Sequence, residues 1–472
     1  MNIYFKTNKL IALILYLVLG IFISYVSYYQ NVPNSVLILS IIIILHFILS
    51  ILILEITNSK IFSLSGIFVI LSYLFHFGQI ILIGLFPKYK FQQFFILDYV
   101  NFYQLQQATV YQLHIITAVV TGIVLATIKK NNKIRKKTSK LNFKESRITT
   151  ITAGWVILTI CFPIRLMTDL SKIRASFSGN YFDTFRTGES GVIGFLGYFA
   201  FIGIALLIMG YSINKKRMST IIFILSISYL IFTMVSGGRG QQLTIILMLL
   251  YIFFNCVYKL KIRNVIVLLV GVYLLIPFLN TIFFIREIGI DSFYSFIKEY
   301  ENSLNNNPIL KLLEELGATQ YTVILTMERI EESAFGLSYL SALPLVFVNI
   351  GGILDPFVYM STYQKSLKVP YIGGSYIGEL FFNFRYFGII FAIFIGIFIN
   401  TISTKLKELL VEKKYLNAAI YLPMFTYFLW WVRDTFSGWI RPTIWGYVFI
   451  VIIIMILNMF IRINNSNKFP IG

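Results

Sequence analysis

The chain is poor in most of what soluble enzymes work with. Its 472 residues include two cysteines, three histidines and eleven prolines, and only 13% are charged. Cys161 and Cys256 both fall inside apolar runs, so they read as small buried hydrophobes with no disulfide framework. His46, His76 and His114 stand singly in separate apolar runs. No His/Cys cluster and no HExxH therefore offers zinc ligands. The absence of a P-loop excludes an ATP-driven pump of that kind. There is also no Asp-x-Asp pair, a common metal and nucleotide-sugar site in soluble glycosyltransferases.

What the chain does have is hydrocarbon. It is 57% hydrophobic, and apolar runs of about 20 residues recur from end to end, the length that crosses a bilayer core. The runs are continuous and do not alternate, which excludes a β-barrel. The fold class is therefore all-α: a polytopic helical membrane protein. About twelve spans are expected, near residues 10–30, 35–54, 62–86, 108–128, 148–166, 192–211, 219–236, 241–258, 264–285, 387–404, 415–432 and 443–461. The first run follows Lys6 and Lys9, is too long for a signal-peptide core and lacks a small-x-small cleavage site. It is expected to stay as a helix. The chain divides into a nine-helix region (1–285), a large extracytoplasmic loop (286–386) and a three-helix C-terminal region (387–472).

Charge sets the expected orientation. With both termini cytoplasmic, the inner segments collect 24 of the 40 basic residues and only four of the 20 acids. The whole formal excess of +20 then lies inside, as the positive-inside rule asks. The run KKNNKIRKKTSK (Lys129–Lys140) is a topology determinant near anionic lipid, and no nucleic-acid partner is expected.

The 286–386 segment is too long for a turn and too mixed in charge to cross a membrane. Asn307-Pro308, ILKLLEEL and Gly317 spell a helix with a cap, a first-position proline and a terminating glycine. Its stripe of Ile309, Leu312, Leu313 and Leu316 predicts one apolar face. Further short helices are expected at 291–302 and 322–332, and the apolar stretch 340–348, broken by Pro344, is expected to dip into the interface.

Six arginines fall at the outer ends of spans: Arg165, Arg239, Arg286, Arg385, Arg433 and Arg441. Topology does not need positive charge there. A guanidinium binds phosphate oxygens with two donors and keeps its charge at any working pH. Snorkelling to the interface would equally explain Arg165 and Arg286, and Asp434 could be a local ion-pair partner of Arg433 or Arg441. Gly238 and Gly240 flank Arg239 in SGGRGQQ and let the backbone approach a ligand; Gly373 and Gly374 open GGSYIGELFFNFRYFG. Glu379, six residues before Arg385, is the candidate general base, with an arginine ion pair as the alternative. Tyr371, Tyr376, Trp430, Trp431, Trp439 and Trp445 could stack on sugars or form an aromatic belt.

SGGRGQQL, the loop patch YLSALPLVF and GGSYIGELFFNFRYFGIIF together resemble the Wzy-type polymerases of O-antigen and capsular oligosaccharide repeat units. The layout of most of the chain is similar, while the identifiable motifs occupy two short stretches. Similar proteins often read NFGYFG where this chain has NFRYFG, so a catalytic role for Arg385 belongs to this chain rather than to the motif. The resemblance implies a metal-independent glycosyltransferase of GT-C-like architecture with no cofactor. It implies that undecaprenyl-diphosphate-linked oligosaccharides are joined into surface polysaccharide at the outer face of a bacterial plasma membrane. Catalytic roles fall on Arg239, Glu379 and Arg385. Diphosphate and sugar binding fall on Arg165, Gly238, Gly240, Arg286, Gly373, Gly374, Arg433 and Arg441. Membrane lipid, a chain-length regulator and a flippase are the candidate partners. Alternatives are a ligase-like transferase on the same scaffold and a lipid-linked oligosaccharide flippase. Flippases tend to carry pseudo-symmetric halves and short loops, neither of which this sequence shows.

Overall fold

In hydrocarbon each backbone N–H and C=O must find its partner within its own segment, so the apolar runs fold as helices. The computed structural model describes residues 2–28, 35–57, 59–91, 94–130, 147–177, 192–234, 239–261, 293–305, 307–347, 363, 367 and 373–466, with scattered positions in 263–281. Among these residues there are helices and no strands. They are α1 (Asn2–Tyr28), α2 (Ser35–Ile56), α3 (Leu64–Leu85), α4 (Phe102–Lys130), α5 (Arg147–Phe177), α6 (Val192–Ser212), α7 (Lys216–Thr233), α8 (Arg239–Cys256), α9 (Phe293–Asn305), α10 (Pro308–Gly317), α11 (Thr319–Arg329), α12 (Leu337–Ala342), α13 (Tyr376–Phe384), α14 (Gly388–Val411), α15 (Tyr415–Ala419), α16 (Leu422–Trp431) and α17 (Phe436–Ser466).

Eight stretches of these helices are long and apolar enough to cross a membrane, and Leu196–Ser212 and Gly240–Cys256 are shorter apolar helices. Half of the expected 264–285 span lies outside the described residues. The expected span 415–432 is two helices, α15 and α16. Pro423 has no N–H to give to the carbonyl of Ala419, where α15 ends.

The chain falls into two compact units. The first comprises Met1–Thr138, Leu310–Thr404 and Phe428–Ile440. Within it α1 packs on α2 and α4, and α2 and α3 pack on each other and on α4. A chain of buried hydrogen bonds ties these helices together. Tyr16 and Ser50 hydroxyls lie 2.8 Å apart, as do those of Ser50 and Tyr73, and the two nitrogens of His46 reach Tyr73 and Thr117. Thr117 gives its own proton to the Leu113 carbonyl, so it accepts from His46 Nε2. α14 lies against α4 with backbones in contact: a Cβ at Gly122 would meet the Ile393 carbonyl, and one at Gly396 would meet that of Val119. Asn400 crosses the same seam to the Ile123 carbonyl at 3.0 Å and to Thr127 at 2.9 Å.

The described part of 286–386 that belongs to this unit is packed on the helices. α10 begins and ends where its cap residues predict. Of the expected apolar stripe Leu316 is buried and Ile309 exposed, and the buried edge also carries Glu314, 1% exposed. Tyr89 donates to Glu314 Oε2 at 2.8 Å, and Gln79 donates to the Glu314 carbonyl at 3.0 Å, which satisfies the buried polar groups. α11 packs against α3, α4 and α13. α13 is started by Ser375, whose hydroxyl accepts from Gly378 N–H at 3.2 Å.

The second unit comprises Ser139–Ile309, Lys405–Tyr427 and Arg441–Gly472. Its centre is the α5–α6 pair, where Gly154 and Gly203 each leave room for the other's carbonyl. α7 and α8 pack on α6 and on each other.

Candidate active site

Glu379 sits in the first turn of α13 and is 2% exposed. A carboxylate taken out of water needs donors. Glu379 Oε2 receives two, the Trp431 indole N–H at 3.2 Å and the Phe436 backbone N–H at 2.7 Å. Among the described residues no arginine forms an ion pair with it. Its neighbour Asp434 is held in parallel fashion: Trp430 N–H donates to Oδ2 and Thr435 N–H donates to Oδ1 at 2.7 Å. Burial pushes the Asp434 carboxyl above its ordinary range, with the Thr435 and Trp430 donors opposing. Arg433 does not take up Asp434 in an ion pair; its guanidinium lies over the Phe75 ring, 5.5 Å from the centroid.

Three elements fix this arrangement. The backbone of Gly374 lies against Asp434 so closely that a Cβ there would sit 2.8 Å from Asp434 Cα. Ser375, the α13 cap, donates its proton to His76 Nε2 at 2.8 Å. The other His76 nitrogen faces the Ser72 carbonyl at 2.8 Å and must be the N–H, which fixes the tautomer. Tyr376 donates to Ser72 Oγ at 3.1 Å. Around the carboxylate the rings of Trp431, Phe436 and Trp439 pack within 6 Å of one another, centroid to centroid. Trp439 N–H is buried and, among the described residues, has no hydrogen-bond partner.

Arg385 follows α13 but does not reach Glu379. Its guanidinium donates to the Glu331 carbonyl and lies 4.9 Å from the Phe381 ring centroid. Its backbone has φ 53° and ψ −135°, which glycine enters freely and other residues rarely do. This is the position at which the resembling motif carries glycine. The side chain is thus tethered at a place where the backbone favours having none.

The first unit therefore gathers Gly373, Gly374, Glu379, Arg385 and Arg433 of the expected site residues. Arg165, Arg239, Gly240 and Arg441 belong to the second unit; Gly238, Arg286 and the side chain of Arg239 lie outside the described residues. Arg165 is 2% exposed and does not snorkel. Its Nε donates to Asp169 Oδ2 at 2.7 Å, Tyr229 donates to the same oxygen at 2.8 Å, and its guanidinium lies 4.8 Å from the Tyr198 ring centroid. Tyr198 and Phe201 also line a small apolar pocket with Ile245, Met248 and Tyr427. Sequence reading passed over Asp169, though its i, i+4 spacing from Arg165 was visible. It also passed over His76 as a partner of Ser375, 299 positions away, for which no local signal exists.

Fold and site define a multi-pass helical membrane protein with an enclosed polar centre. A family model described as O-antigen polysaccharide polymerase Wzy matches residues 10–464, and the chain belongs to that family. No curated protein and no solved structure matches it. Membership makes it a polymerase of O-antigen repeat units, a glycosyltransferase-type enzyme acting on lipid-linked oligosaccharides in the membrane.

Proposed function

We propose that Glu379 is the general base of a repeat-unit polymerase whose substrates are carried on undecaprenyl diphosphate at the outer face of the plasma membrane. The observation that carries this is the Glu379 carboxylate, buried and held by two neutral N–H donors. Such donors fix its direction without neutralising it, so it stays able to take a proton. An acceptor hydroxyl of one repeat unit gives its proton to Glu379 as its oxygen attacks the anomeric carbon of the donor chain. The bond from that carbon to the diphosphate oxygen breaks, and the electron pair leaves on the diphosphate. Guanidinium groups are suited to meet that developing charge, the part the sequence assigns first to Arg239. Trp430, less buried than Trp431 and Trp439, offers a ring to a sugar.

In this reading the chain crosses the membrane about twelve times, in a GT-C-like arrangement with cytoplasmic termini and no metal. The lipid diphosphate brings its own activated bond, so no nucleotide site is needed. The test is the surface-glycan profile of a deletion strain complemented with the wild-type chain or with Glu379→Gln. Deletion should leave a single repeat unit in place of the ladder; the wild-type gene restores it and E379Q does not. A full ladder from E379Q would remove Glu379 from the chemistry. Loss of all surface glycan in the deletion strain would point to a flippase.

A further inference from the structure

Glu379 has a second carboxylate beside it. Asp434 and Glu379 are bound by the adjacent indoles Trp430 and Trp431 and by the adjacent backbone amides of Thr435 and Phe436. Successive residues thus deliver two acids to one place, and among the described residues neither has a cation in an ion pair. The ring of Trp439, whose N–H has no partner among the described residues, packs on Trp431 and Phe436, the two residues that donate to Glu379. That leaves an indole donor for a hydroxyl at this spot.

We propose that Asp434 is a positioning residue that acts through Glu379, the two carboxylates forming one proton-accepting pair. The inference rests on Glu379 being the base. In a buried setting one negative charge makes its neighbour hold a proton more tightly. Asp434 therefore increases the pull of Glu379 on the proton of the acceptor hydroxyl, and the two titrate as a unit. The other groups in reach do not replace this effect. Tyr339 and Tyr363 are raised by burial and stay neutral, Arg433 lies over Phe75, Arg329 is bound to the Leu367 carbonyl, and His76 is taken up by Ser375 and Ser72. Asp434 is held by Trp430 and Thr435; the Arg433 charge acts on it but, among the described residues, forms no ion pair with it.

The experiment uses the full chain in membranes, with lipid-linked repeat units extracted from cells lacking it as substrate. kcat and KM are followed against pH for the wild type, E379Q, Asp434→Asn and the double variant. D434N is expected to lower kcat about tenfold, with KM within about twofold, and to move the acidic limb of kcat to lower pH. The double variant should be no worse than E379Q alone, as for residues that act as one unit. A D434N enzyme whose limb stays in place, or losses that multiply in the double variant, would overturn the pairing. If D434N does not accumulate, Trp430→Phe keeps the acid and removes its indole donor: a displaced limb supports the pair and an unmoved limb rejects it. An active E379Q removes the base and the pair together. An inactive E379Q beside an unaltered D434N removes the pair alone.

Discussion

Both units bury carboxylates, and they treat them in opposite ways. Asp169 of the second unit is matched by the Arg165 guanidinium at 2.7 Å and a Tyr229 hydroxyl, so its charge is cancelled where it lies. Glu379 and Asp434 of the first unit are matched by indole and amide N–H groups, which orient a carboxylate but carry no net charge. A neutralised pair holds helices in register; an oriented but uncancelled acid remains available for chemistry. Carboxylates taken wholly or partly out of water are thus assigned a structural or a reactive part by the charge of their donors.

The comparison can be tested from both sides. The largest effect belongs to Glu379→Gln, which should lower polymer formation by about 10²–10⁴-fold, the usual contribution of a general base, with the protein still present at normal level in the membrane. Gel ladders and an immunoblot read the two quantities. Arg165→Ala should do the reverse. It strands Asp169 in the interior, a loss of about 3–5 kcal/mol, and shows as depleted protein and a lowered Tm. Replacing both Arg165 and Asp169 by leucine should recover abundance. An abundant but inactive R165A would move Arg165 into the ligand site and erase the contrast. Gly374→Ala drives a methyl group into the Asp434 backbone and should cost about 1–3 kcal/mol, read as a lower Tm together with reduced polymer. The smallest effect is at Arg385. Arg385→Gly relieves the backbone and should keep most of the activity, whereas Arg385→Ala keeps the strain, loses the tether and should be the poorer enzyme. Equal inactivity of the two would place the guanidinium in the reaction.

Local chemistry made much of this legible. The bounds of α10 follow from Asn307-Pro308 and Gly317, because caps act over three or four residues. The break after Ala342 follows from Pro344. What failed was anything decided by a distant partner. The burial of Glu314 on α10 was not legible, because Tyr89 and Gln79, which bind it, lie more than 200 positions away. α5 runs on to Phe177, past the expected end at 166, because Asp169 neutralises the arginine that looked like a boundary. Within the site, Glu379 and the GG pair stood out as residue types, but the parallel holding of Asp434 did not. Its donors are a backbone amide and a tryptophan, a residue that sequence reading assigns to stacking or to the interface.

Trp430 and Trp431 are consecutive at the end of α16, so their side chains leave the axis about 100° apart. One helix end therefore addresses two acids at once, Glu379 on α13 and Asp434 in the turn that follows α16. A modest rotation of that end about its own axis would swing both indoles off their oxygens together, and a rotation back would restore both. A single helix end thus sets the direction of both carboxylates, so a substitution that shifts it would loosen the two together.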